Sequence, residues 1–301
     1  MNSNAAITWL LDTDPAIRWQ TLRDLTDTNP ATVAAERAKV PQAGWAAALL
    51  AQQTPEGTWQ GDDFTMMVTI YSLALLREMG VDPRDERVRQ AVARVERLRW
   101  EEVEGEPFFD GETEPCINGV ILATGAYFGV RNDALLSRLL SEQLPDGGWN
   151  CRAPESQRSS FHTTICVLEG LLETELAFGG ARTHAARERA EEYLLERHLC
   201  RRRSNGTLIE QDWSRFRFPT FWHYDLLRGL DYLRRAGRTP DDRVREAVEA
   251  VRAQQLPDGR WPWAKPIEDL IPFRMETQEG TASPWNTLRA LRVLRWAGAL
   301  D

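Results

Sequence analysis

Polar and apolar positions along this 301-residue chain recur with helical spacing, in two alternating textures. One is charged and amphipathic. Asp85–Trp100, Asp133–Gln143, Thr183–Cys200 and Asp241–Gln255 show Arg, Glu and Ala on one stripe, as a helix with one face in water does. The other is poor in charge and rich in aromatics. Its segments begin near Phe64, Cys116, Phe161, Trp222 and Trp285 and continue as VTIYSLALL, NGVILATGAYFGV, TTICVLEGLL, YDLLRGLDYL and NTLRALRVLRW. Helices with so few charges are covered by protein on most sides. No run alternates with the two-residue period of a strand.

A repeated turn joins each charged helix to the next covered one. It reads Gln52-Gln53-Thr-Pro-Glu-Gly57-Thr-Trp59, Gln143-Leu-Pro-Asp-Gly147-Gly-Trp149 and Gln254-Gln255-Leu-Pro-Asp-Gly259-Arg-Trp261. Proline and glycine stop the helix and set the turn. Weaker copies lie at Phe109–Glu112 and Ser204–Thr207. Five such units and an opening helical segment around Ala5–Leu25 predict an all-α double ring, inner helices around a central cavity and outer helices around them. The expected organisation is one domain over 1–301, with 1–40 as the opening segment and 41–301 as the repeat units. An open solenoid is the competing arrangement. The tryptophan count and the bulky inner-helix starts favour closure.

Composition narrows the function. The balance of 37 basic against 45 acidic residues argues against nucleic acid as a partner, because phosphate neutralisation needs a basic face. No stretch has the length and apolarity of a membrane span. The N-terminus has no basic, apolar leader, and four cysteines are too few for a disulfide scaffold, so a cytoplasmic protein with free thiols is expected. No protein partner is indicated. Twelve tryptophans suit a repeated packing motif or an aromatic-lined cavity.

In a closed ring the inner-helix starts share one mouth, which collects the chemically capable residues. Cys116, His162 and Glu114 are a workable zinc set with a position left for water or substrate. Cys151, just past Trp149, either replaces Glu114 or completes a closed four-ligand site. The plainer alternative for Cys116 and His162 is packing and a satisfied hydrogen bond. His223 is a candidate acid/base with Tyr224 and Asp225 as partners that fix its tautomer, or else a hydrogen-bonded rim residue. Asp63, beside Asp62, is a candidate acid or a capping carboxylate. Phe64, Asn118, Phe161, Trp222, Trp285 and Asn286 are expected at the substrate, and Phe221 joins the aromatics among them as candidate cavity wall. Cys166 reads as a buried apolar group, Cys200 as structural or incidental, and Trp59, Trp149 and Trp261 as core.

The Gln…Pro-Asp-Gly-x-Trp elements resemble the QW-type repeats of squalene cyclases and other class II terpenoid cyclases. The helical alternation resembles the α/α toroid that those enzymes share with protein prenyltransferase β subunits. The likeness covers about residues 40–300 by the repeat criterion. It implies a double-ring fold. The run Glu114-Pro-Cys116 followed by His162-Thr-Thr-Ile-Cys166 also resembles the prenyltransferase zinc pattern, with Glu114 where that family uses Asp. The cyclase Asp-x-Asp-Asp acid motif is missing: Asp12-Thr-Asp14-Pro15 lies in the wrong element, and Asp62-Asp63 is followed by Phe-Thr. The resulting expectation is a zinc-dependent enzyme acting on a small, largely apolar, isoprenoid-like substrate, with zinc as Lewis acid or holding a thiolate or water. One alternative is a metal-free cyclase or isomerase using Asp63 or Glu114 as acid. The other is a non-catalytic toroid that binds an apolar ligand or a peptide.

Overall fold

The computed structural model describes residues 3–60, 65–100 and 105–300, with side chains from residue 4 onward. Its helices are α1 (Ser3–Leu11), α2 (Pro15–Leu25), α3 (Pro30–Arg37), α4 (Gly44–Ala51), α5 (Thr65–Met79), α6 (Glu86–Val95) and α7 (Pro115–Tyr127), followed by α8 (Asp133–Ser141), α9 (Phe161–Phe178), α10 (Ala181–Leu195), α11 (Leu226–Arg235), α12 (Arg245–Ala253) and α13 (Pro284–Trp296). α2, α5, α7, α9, α11 and α13 form an inner ring: α5, α7, α9, α11 and α13 pack in succession, α13 docks on α1 and α2, and Trp19 of α2 donates to Met79 O at the end of α5 at 2.9 Å. The fold is an α/α toroid. Among the described residues no helix is long and apolar enough to cross a membrane.

Closure is specific. Arg292 pairs with Asp24 and donates to Gln20 Oε1 at 2.8 Å, and Arg295 donates to the Asp24 carbonyl at 3.0 Å. Trp45 stacks on Trp285 with centroids 6.2 Å apart. The opening segment thus divides at Asp14, whose Oδ1 caps α2 through Ala16 N (2.8 Å) while Oδ2 takes Trp45 N (2.8 Å).

The three Gln…Trp turns share one construction. Trp59, Trp149 and Trp261 are fully buried, and each indole N–H donates to a carbonyl in the last turn of the preceding outer helix, at Leu49, Leu139 and Val251, all at 2.6 Å. Such carbonyls have no partner inside their own helix. Each tryptophan's backbone N–H donates to a threonine hydroxyl on the following inner helix: Thr69, Thr164 and Thr287. Gln53, Gln143 and Gln255 close the turn on the carbonyls of Gly57, Gly147 and Gly259. Gln53 and Gln143 also reach Ala91 O in α6 and Ala186 O in α10. One element therefore ties an outer helix to its inner partner, and in two cases to the next outer helix.

Most outer helices are shorter than the periodicity predicts. α6 stops at Val95, and Arg99–Trp100 then pairs antiparallel with Glu106–Pro107. α10 stops at Leu195, and the chain turns through His198 and Leu199, both with positive φ. α11 begins at Leu226 rather than near Trp222, because Asp225 caps it and Phe221 (φ 51°) sits in the turn before. The closest helix pair is α7–α9. A β-carbon on Gly119 would lie 2.5 Å from the Cys166 carbonyl, and one on Gly170 would lie 2.7 Å from Gly119 O, so both glycines permit backbone contact.

Candidate functional site

Contact between α7 and α9 brings the start of α7 against the turn that follows Trp149. Glu114 just precedes α7, Cys116 lies in its first turn, and Cys151 lies in that turn. Their ligand-type atoms all fall within 4.8 Å of one another. Cys116 Sγ is 3.5 Å from Glu114 Oε2, and Cys151 Sγ is 3.3 Å from Thr163 Oγ1. Hydrogen bonding between the two cysteines raises the Cys116 thiol, and burial adds to this. The same bond lowers Cys151 to about 7, against burial and with help from Thr163. Cys151 is also the less buried of the two. The pair therefore gives up its first proton at Cys151.

His162 does not join this group. Its Nδ1 accepts the Tyr224 backbone N–H at 2.8 Å, which places the ring proton on Nε2. Burial, and next the charges of His223 and Arg228, lower it to about 4, so the ring is neutral at neutral pH. The expected Cys116–His162 pairing thus gives way to a Glu114–Cys116–Cys151 cluster.

The partners expected for His223 also differ. His223 Nε2 faces both oxygens of Glu268, at 2.9 and 2.8 Å, and Trp222 stacks on its ring at 3.8 Å. Tyr224 instead donates its hydroxyl to Leu199 O in the core, and Asp225 caps α11 through Arg228 N. Burial raises the Asp225 carboxyl despite Arg289. Asp62, Asp63 and Phe64 lie outside the described residues.

Several residues expected at the substrate hold the fold. Asn118 is fully buried and bonds both backbone groups of Glu112, one donated and one accepted. It serves its loop much as Thr69, Thr164 and Thr287 serve theirs. Asn286 donates to Phe216 O and Pro262 O. Trp285 is buried between Trp45 and Phe218, whose ring lies 4.3 Å away. Phe161 packs among Tyr193, Trp213 and Tyr224, and Trp222 is half-buried with its edge to His162.

The central hollow, about 60 Å³, has a wall and a floor of different character. Tyr71, Leu75, Val120, Phe218 and Phe221 make the apolar wall, and Arg77, Glu169, Arg228, Asp231, Arg235 and Arg289 the ionic part. Arg228 grips Glu169 with two bonds of 2.9 Å, while Arg77 lies 3.7 Å from Glu169 and 3.8 Å from Glu173. Burial opposes ionisation of Glu169, but the charge and hydrogen bonds of Arg228, then Arg77, hold it at about 2. The aromatic lining expected here is represented by Phe221 alone of the described candidates.

A second cavity, about 20 Å³, shares Phe218, Pro219 and Phe221 with the hollow and adds Trp263, Met275 and Glu276. Burial pushes Glu276 up to about 8, only partly offset by the Ser283 hydroxyl 3.1 Å from Oε2. Its Oε1 has no partner among the described residues. Glu276 is therefore a carboxylic acid that keeps its proton at neutral pH beside an aromatic wall. It lies in a polar stretch with no motif, and nothing in its local sequence distinguishes it from Glu268 and Glu279 nearby.

Among solved structures the chain is similar to the type II terpene cyclase MstE from Scytonema. The apo enzyme aligns with TM-score 0.51 and 18% identity over 99% of this chain and 97% of that one. A variant in complex with geranylgeranyl dihydroxybenzoate as substrate aligns with TM-score 0.51 and 19% identity over 99% and 97%. A further variant with merosterolic acid A as product gives 0.50 and 18% over 99% and 96%. At this identity the likeness establishes the toroid fold. No protein-family model and no curated protein sequence matches the chain.

Proposed function

We propose that the protein is an enzyme of the terpenoid cyclase kind, which takes a small, largely apolar substrate into the hollow and the adjoining cavity that holds Glu276, and starts its reaction by proton transfer from that carboxylic acid. The observation that carries this reading is Glu276, protonated at neutral pH beside Phe218, Phe221 and Trp263. Proton donation to an alkene needs an acid that has not already ionised, and aromatic faces stabilise the cation that forms. The likeness to MstE, whose structures hold geranylgeranyl dihydroxybenzoate as substrate and merosterolic acid A as product, supports the same class of substrate. Glu114 is a weaker acid candidate, because it is exposed at the mouth. The test is product analysis by mass spectrometry after incubation with prenylated aromatic acids and linear polyprenols. The expected result is an isomer of unchanged mass from the wild type and none from Glu276→Gln. Unchanged turnover in that variant would overturn the assignment.

A second reading rests on the Glu114–Cys116–Cys151 cluster, whose two sulfurs and one carboxylate fit a zinc ion with one position open. Bound zinc would supply Lewis acidity or hold a thiolate at the mouth. Elemental analysis tests this: one zinc per chain is expected, falling to background in Cys116→Ser and Cys151→Ser. A metal-free protein with full activity would remove the metal from the mechanism.

A further inference from the structure

A second basin lies on the rim at the start of α9, outside the hollow. Its volume is about 560 Å³, against about 60 Å³ for the hollow itself. Phe161, Tyr193 and Trp213 form its aromatic side, and the α9 N-terminus opens into it through Ser160, Phe161 and His162. Four arginines line it and are not equivalent. Arg203 pairs with Glu196, and Arg197 lies over the Tyr193 ring at 3.9 Å with Asp146 at the same distance. The guanidinium groups of Arg158 and Arg202 make no hydrogen bond or ion pair with any described residue. The two acids of the basin are engaged: Asp146 holds Ser159, and Glu210 caps its own turn at Asp212. One donor is orphaned. Trp213 is 6% exposed, and its indole N–H has no partner among the described residues. An unpaired buried N–H is costly to a fold.

We propose that this basin binds a small organic phosphate, with its anionic group at Arg158, Arg202 and the first turn of α9, and its apolar or planar body against Phe161, Tyr193 and Trp213. The charge argument follows from geometry. A helix N-terminus presents free N–H groups and a partial positive charge, and two uncommitted guanidiniums add donors suited to phosphate oxygens. The size argument points the same way, because 560 Å³ exceeds what a bare anion needs and falls in the range of small-molecule sites. Trp213 lines the basin beside Phe161 and Tyr193 and offers its ring to a planar or apolar body, while its unpaired N–H lies beneath the surface. The neutral, Nε2-protonated ring of His162 supplies a further donor on the same rim without a charge of its own. This inference concerns binding and holds whether or not the hollow performs cyclase chemistry.

The test is titration calorimetry on the full chain at low salt, with inorganic diphosphate, inorganic phosphate and phenyl phosphate as probes. One-to-one binding of diphosphate is expected, weakening as salt rises. The double variant Arg158→Ala/Arg202→Ala should bind at least about tenfold more weakly, with an unchanged melting temperature, since both side chains are exposed. Trp213→Leu should bind phenyl phosphate several-fold more weakly, because it removes an aromatic ring from the basin wall. Phenyl phosphate should bind at least about tenfold tighter than inorganic phosphate if the aromatic side contributes. Wild-type affinity in the double variant, or no diphosphate binding at millimolar concentration, overturns the site. Equal affinity for phenyl phosphate and inorganic phosphate overturns the organic body.

Discussion

Replacing Glu276 by Gln removes one ionisable group and keeps its shape, so its effect on stability can be worked out from a single titration. In the folded protein this carboxyl is pushed up to about 8, while an ordinary glutamic acid titrates at 4.5. Between those two values the native state binds a proton that the unfolded chain has released. Wild-type stability therefore falls as pH rises through this window, by about 1.4 kcal/mol per pH unit, and this contribution levels off above pH 8. Across the window the loss is about 3–5 kcal/mol, the lower figure allowing for partial solvent contact of the loop. The substituted amide would carry no proton to lose. The variant should match the wild type to within about 1 kcal/mol at pH 5 and exceed it by about 3–5 kcal/mol at pH 9. Urea unfolding followed by circular dichroism at pH 5, 6, 7, 8 and 9 reads this directly. Parallel stability curves for the two proteins would refute the raised titration, and with it the reason for choosing Glu276 as proton donor.

Two further outcomes follow from packing and charge. Gly119→Ala should destabilise the protein by about 1–3 kcal/mol in chemical denaturation, because its new carbon meets backbone rather than a movable side chain. It should also loosen the Glu114–Cys116–Cys151 cluster, seen as faster labelling of Cys116 by a thiol reagent. Arg228→Leu should cost about 3–5 kcal/mol near pH 7, since Glu169 keeps its charge and loses two hydrogen bonds. Glu169 is depressed in the wild type, so its contribution is present above pH 4.5 and fades as pH falls toward 2. The gap between Arg228→Leu and wild type should shrink over that same range.

The architecture was legible where local chemistry decides it. The Gln, Gly and Trp of each turn satisfy their own helix ends, so the pattern in the chain is already the pattern of bonds in space. The alternation of charged and covered helices carried over for the same reason: burial of a helix face shows in its residues. The site was less legible, because its members are oriented by tertiary contacts. His162 lies where the spacing put it, yet the Tyr224 N–H draws its nitrogen away from the cysteines. Glu268, the real neighbour of His223, lies 45 residues further along the chain. Asn118 has the composition of a binding residue and the position of a loop brace. The ion pairs beneath the hollow come from α5, α9, α11 and α13, and arginines on a helix look alike in sequence whether they face water or one another.

The glycine contact between α7 and α9 determines where the barrel can yield. On that side backbone meets backbone, so no side-chain rearrangement can widen the space between the two rods, and they move as one slab. Across the ring, the hollow is bounded by Phe218, Pro219 and Phe221, carried on the irregular segment ahead of α11. The same three residues also line the cavity of the Glu276 carboxyl, so a guest larger than the resting volume that widened the hollow on this side would come up against that acid.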